Sequence, residues 1–181
     1  MIVAQQKRKE NIVEYILYMW QIEDIIRAHS FDMTQIQQNL IQQYDQPDEI
    51  RQQLYEWYES LAEQMKEEGI EKQGHMAVYQ TLIDDLFELH QKLLQNTDEL
   101  AYIEAYKKAQ PALSDLVQKS KGSVKHEIEA AFTGLYGLLL LRLRGQEIKL
   151  ATAEAIADIA QMMARLSQRF HQVEKGELDL E

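Results

Sequence analysis

The stretch IVEYILYMWQIEDIIRAH, residues 12–29, decides the fold class. At about 100° per residue, Ile12, Ile16, Met19, Trp20 and Ile26 share one broad face, widened by Val13 and Leu17. Glu14, Tyr18 and Gln21 point the other way. Apolar residues in that phase over so long a run predict an amphipathic helix, because a strand's alternation would scatter them over both faces. Three charges sit inside or beside the apolar arc. Glu23 falls in angle between Ile12 and Ile16, Arg27 lies beside Trp20, and Asp24 stands at the edge.

The same period continues outward from this segment. A first helix is expected from about residue 5 to 28, and SFDMTQ, residues 30–35, reads as a break and restart with Asp32 and Gln35 at capping-box spacing. DQPDE, residues 45–49, opens a third helix that Gly69 can stop. A fourth is expected over about 75–94. Asn96 and Glu99 form another capping-box pair before a fifth, which Pro111 must kink or split. Ser123 can cap a sixth helix over about 123–143. Its second half, within AAFTGLYGLLLL at residues 130–141, is apolar on nearly all sides and is therefore placed at the centre of the bundle. Gly134 and Gly137 are costly in a helix interior, and close approach of a neighbouring helix would compensate. A seventh helix starts at Thr152. The expectation is an all-α, single-domain bundle of six or seven helices over residues 1–172, with an acidic, frayed tail over 173–181.

Composition narrows the function classes. The 181 residues carry 30 acidic and 19 basic side chains, a formal net charge of -11, which disfavours nucleic acid as a partner. No cysteine is present, so disulfides, thiolate nucleophiles and cysteine metal sites are excluded. MIVAQQKRKE, residues 1–10, lacks the apolar run of a signal peptide, and residues 130–141 are too few to span a bilayer. A cytoplasmic protein without membrane contact is expected.

Residues 2–28, and EYILYMWQIED at 14–24 in particular, resemble the first helix of a family of uncharacterised all-helical proteins from Bacteroidetes, catalogued as a domain of unknown function. The resemblance implies an all-α fold and a bacterial cytoplasmic setting. It supplies no catalytic residues.

The residues themselves offer no catalytic set either. No histidine has a glutamate three positions before it, so the Glu-x-x-His pairs of di-iron bundles are missing, and there is no Gly-x-Ser-x-Gly elbow. Local carboxylate–histidine neighbours occur, such as Glu71 with His75 and Glu88 with His90. No metal and no cofactor are expected. Two binding candidates remain. Glu23, Asp24 and Arg27, with Arg142 or Arg144 after the leucine run, can form a polar cluster at one end of the core, or can sit in solvent beyond the apolar face. KSKGSVKH, residues 119–126, places Lys119, Lys121 and Lys125 around Ser123 at an expected helix start, suited to an anion or to plain loop solvation. Lys7, Arg8 and Lys9 read as the solvated start of a helix. The function expected from this balance is association with a protein partner or as a homodimer. The alternative is a small-ligand or anion-binding protein, or an enzyme, using one of these two sites.

Overall fold

The computed structural model describes residues 1–179. They form eight α-helices and one 3-10 turn: α1 (Ile2–Glu10), α2 (Ile12–Ala28), α3 (Met33–Asn39), the 3-10 turn (Ile41–Gln43), α4 (Asp48–Glu67), α5 (Ala77–Gln95), α6 (Leu100–Lys119), α7 (Glu127–Leu143) and α8 (Leu150–Glu174). Among the described residues there is no strand, and no helix is long and apolar enough to cross a membrane. The all-α class stands as expected, and the helix count rises by one.

The additional helix comes from a break at Asn11. Its side-chain oxygen accepts the Val13 amide at 3.0 Å, and the buried Ser167 hydroxyl accepts the Ile12 amide at 3.1 Å. Both donors are thereby satisfied outside the helical ladder, which splits the expected first helix into α1 and α2. Other boundaries follow the sequence more closely. Asp32 caps α3 through the Thr34 and Gln35 amides, and Gly69 ends α4 in the left-handed region at φ 68°. Pro111 lies inside an unbroken α6. The ring removes the amide that Lys107 would have bonded, and both residues are exposed, so water can take the orphaned carbonyl.

Two expected starts are corrected. The helix expected from Ser123 begins at Glu127, because the His126 ring, not Ser123, accepts the Glu129 amide. Asn96 bonds the Asp98 amide and makes a turn, and α6 begins after Glu99, whose buried carboxylate is turned to Arg169 at 2.9 Å.

The helices gather into two compact units. The N-terminal unit comprises residues 1–10 and 14–80, and the C-terminal unit comprises residues 11–13 and those from Thr81 onward. In the N-terminal unit Ile16, Met19, Trp20 and Ile26 of α2 are buried, as are Ile36, Ile41, Tyr58, Met65 and Met76. Each such side chain contributes roughly 1.5–3 kcal/mol relative to exposure. In the C-terminal unit α6 packs along α8 most extensively, and α7 packs on both. A Cβ built at Gly134 would stand 2.7 Å from Leu116 and 3.3 Å from Ile156, so glycine allows the close packing there. At Gly137 a Cβ would meet nothing within 4 Å, and the expected close approach is absent.

The central placement of the apolar helix also needs correction. Ile128, Phe132, Tyr136 and Leu138 of α7 are buried, but Leu139, Leu140 and Leu141 are only half-buried and Leu143 is 67% exposed. The tail turns back on α8, with the Glu177 and Leu178 amides both bonding the Gln172 carbonyl. Residues 180–181 of the expected tail lie outside the described residues.

Candidate functional site

Glu23 enters the core of the N-terminal unit because it shares the phase of the apolar face, and its side chain is 1% exposed. One carboxylate oxygen accepts the Met76 amide at 3.0 Å, and the other lies 2.5 Å from His75 Nδ1. An ionised carboxylate only accepts, so Nδ1 carries the proton. The His75 ring is stacked on Trp20, with centroids 3.8 Å apart and planes 7° apart. One turn on, Arg27 donates to Asp24 at 2.9 Å, to the Ile70 carbonyl at 3.2 Å and to the Gly74 carbonyl, and it approaches Glu23 at 4.0 Å.

These contacts form a clasp on the connector between α4 and α5. Arg27 holds its carbonyls, while Glu23 and Glu68 take the first amides of α5, the latter through Ala77 at 2.7 Å. Carboxylates at a helix N-terminus also meet the positive end of its dipole. The expected grouping of Glu23, Asp24 and Arg27 is present. Arg142 and Arg144 are exposed side chains at the end of α7, and the hydrogen-bond partners of Glu23 come from the connector. A carboxylate-oriented imidazole can work as a general base. Here the carboxylate also terminates a helix, which is a structural task.

The lysine loop is occupied by its own carboxylates. Lys119 pairs with Asp115 at 2.6 Å and Lys125 with Asp84 at 3.3 Å, while the Lys125 amide donates to Glu129 at 2.6 Å. Lys121 sits in the left-handed region at φ 51°, and Ser123 is exposed. With Glu127 and Glu129 in the first turn of α7, an anion placed there would face two carboxylates.

The C-terminal unit holds a buried network that the sequence reading passed over. His90 is fully buried on α5, with Nδ1 2.6 Å from the Tyr102 hydroxyl and Nε2 3.0 Å from Glu127. A neutral ring that donates through Nε2 and accepts at Nδ1 satisfies both partners. Tyr106 also donates to Glu127, at 3.0 Å. The hydrogen bond from His90 holds the Glu127 carboxyl below the ordinary glutamate range, and burial pushes the Tyr102 phenol up. Beside this network His126 stacks on Phe87 at 4.1 Å and reaches Asp84 at 3.2 Å. His90 was discoverable, since it falls in the core register of Ile83, Leu86 and Leu93, where a polar ring needs buried partners. Among the described residues no group of three or more histidine, aspartate or glutamate side chains is placed to hold a metal.

Two concavities flank α1 in the N-terminal unit. One, of about 330 Å³, is lined by Met1, Ile2, Val3, Tyr18, Tyr44, Ile50 and Leu54, with Gln46 as the polar member. Ile2, Val3 and Tyr44 are 55%, 50% and 42% exposed. The other, of about 510 Å³, is lined from α1 by Ala4, Gln5, Arg8 and Lys9 and from α2, α4 and α5 by Tyr15, Met19, Trp57, Leu61 and Tyr79.

No curated protein and no solved structure matches the chain. A family model described as "Domain of unknown function (DUF4924)" matches residues 1–177, and the chain belongs to that family.

Proposed function

We propose that the chain is a non-catalytic association protein that pairs with a second copy of itself through the groove between α1 and residues 44–54. The observation that carries this reading is the groove's lining: three large apolar side chains left about half exposed around one concavity. Its charged surroundings support a like partner. Lys7, Arg8 and Lys9 follow the groove residues of α1, with Lys7 paired to Glu14, whereas Asp45, Asp48 and Glu49 stand beside Gln46 and Ile50, with Asp48 paired to Arg51. In a two-fold pairing the basic end of one groove can meet the acidic end of the other. The buried charges support a non-catalytic role, because Glu23, Arg27 and Glu99 are each engaged in helix capping or ion pairing. A net charge of -11 supports a protein rather than a nucleic acid as the partner. The resemblance of residues 14–24 supports a Bacteroidetes origin and a cytoplasmic setting for this association.

Light scattering on a sizing column tests the proposal. Wild type loaded at about 100 µM, well above a micromolar Kd, should elute as a dimer. Val3→Asp alters an exposed side chain, and a two-fold interface carries the change twice, so dimerisation should weaken about a hundredfold or more. A wild-type protein that stays monomeric, or a Val3→Asp dimer as tight as wild type, overturns it.

A further inference from the structure

The second concavity beside α1 has a composition of its own. Ala4, Gln5, Arg8 and Lys9 follow one another at the spacing of a single helix face, and that face supplies two cations to a cavity of about 510 Å³. Arg8 and Lys9 both line the cavity, and Lys7 at the same end of α1 pairs with Glu14 at 2.8 Å. Opposite them the lining is aromatic and aliphatic, including Tyr15, Trp57 and Tyr79, with Met19 and Leu61. Tyr15 and Tyr79 meet edge to face at 6.0 Å, and Tyr79 is 3% exposed. Among the described residues the lining contains no carboxylate, in a chain whose formal charge is -11.

We infer that this cavity is a binding site for an amphipathic carboxylate, a small molecule with an aromatic or aliphatic body and one anionic head. The body replaces water against Trp57, Tyr15 and Leu61, and the head meets Arg8 and Lys9 at the rim. The volume falls in the range of about 300–1,000 Å³ typical of small-molecule sites, and an apolar lining with a few polar anchors is their usual composition. A sugar phosphate fits less well, because its hydroxyls would lie against a largely apolar wall. Arg8 and Lys9 act here as a charged pair, a role beyond the solvated helix start that their sequence suggests. The site does not depend on self-association, since its lining residues come from one chain.

The test uses three probes with the same body: 4-phenylbutyrate, 4-phenylbutanol and 4-phenylbutylamine. Binding is read by isothermal titration and by Trp57 fluorescence, with Trp57→Phe identifying the signal. The carboxylate should bind about tenfold more tightly than the alcohol, and the amine most weakly. Arg8→Gln combined with Lys9→Gln should erase the preference for the carboxylate while the alcohol still binds. Arg8 is half-buried and Lys9 exposed, and circular dichroism verifies that the double variant retains its helix content. Equal affinity for the three probes, no binding by any of them, or a charge preference that survives the double substitution overturns the inference.

Discussion

Truncating Glu23 to alanine removes the centre of the clasp, and the structure sets the size of the effect. The carboxylate is 1% exposed and holds the Met76 amide at 3.0 Å and His75 at 2.5 Å. Leaving the amide buried without an acceptor costs about 1–3 kcal/mol. Loss of the charged contacts adds roughly 1–2 kcal/mol, discounted because the His75 side chain is 30% exposed and Arg27 14%. Together these give roughly 2–5 kcal/mol, in the range found for breaking a buried ion pair from one side. Glu23→Gln keeps an acceptor for Met76 and can still hydrogen-bond His75, so it should cost only about 1–2 kcal/mol. Urea unfolding followed by tryptophan fluorescence is the suitable assay, because Trp20 and Trp57 both lie in the N-terminal unit. With a urea slope of about 1–3 kcal/mol per molar, the alanine midpoint should fall by roughly 0.7 M or more. A double-mutant cycle with His75→Ala should show coupling of about 1 kcal/mol or more. Coincident midpoints for wild type and Glu23→Ala would refute the clasp, since they would mean that the carboxylate holds nothing in solution.

Two further outcomes concern the C-terminal unit. The folded-state pKa of Glu127 lies below the ordinary 4.5, chiefly through the His90 hydrogen bond, so its stabilisation is complete above that value and is lost as pH falls through the lower folded value. Thermal midpoints by circular dichroism between about pH 3 and 7 should therefore drop on the acid side in wild type and flatten there in Glu127→Gln. The two α7 glycines should part company. Gly137→Ala meets open space and should stabilise by roughly 0.5–1 kcal/mol, whereas Gly134→Ala must displace Leu116 and should fall short of it by about 1 kcal/mol, as read by circular dichroism in urea.

The fold was legible wherever the deciding interactions are local. The phase of residues 12–29, the Asp32 cap and the Gly69 stop are all short-range features, and each appears where the sequence places it. The break at Asn11 was not legible, because the hydroxyl that takes the Ile12 amide belongs to Ser167, 155 residues away. The site shows the same division. The position of Glu23 follows from its phase, but its partners arise from the path of the connector, which no local spacing encodes. Arg142 and Arg144 were drawn into the cluster by their place after a leucine run. That run reveals how much apolar surface α7 carries and not how much of it is covered, and Leu139, Leu140 and Leu141 remain half-buried. His90 lay in plain register with the core of α5, yet Tyr102 and Glu127 reach it from α6 and α7.

The central claim is association through the α1 groove, and hydrogen exchange at two protein concentrations tests it most directly. If a second copy covers the groove, amides in residues 1–10 and 44–54 should exchange more slowly at about 100 µM than at about 1 µM, where a micromolar complex is largely dissociated. Amides of α6 and α8 should be unchanged between the two samples. Exchange in residues 1–10 and 44–54 that is identical at both concentrations would contradict the account.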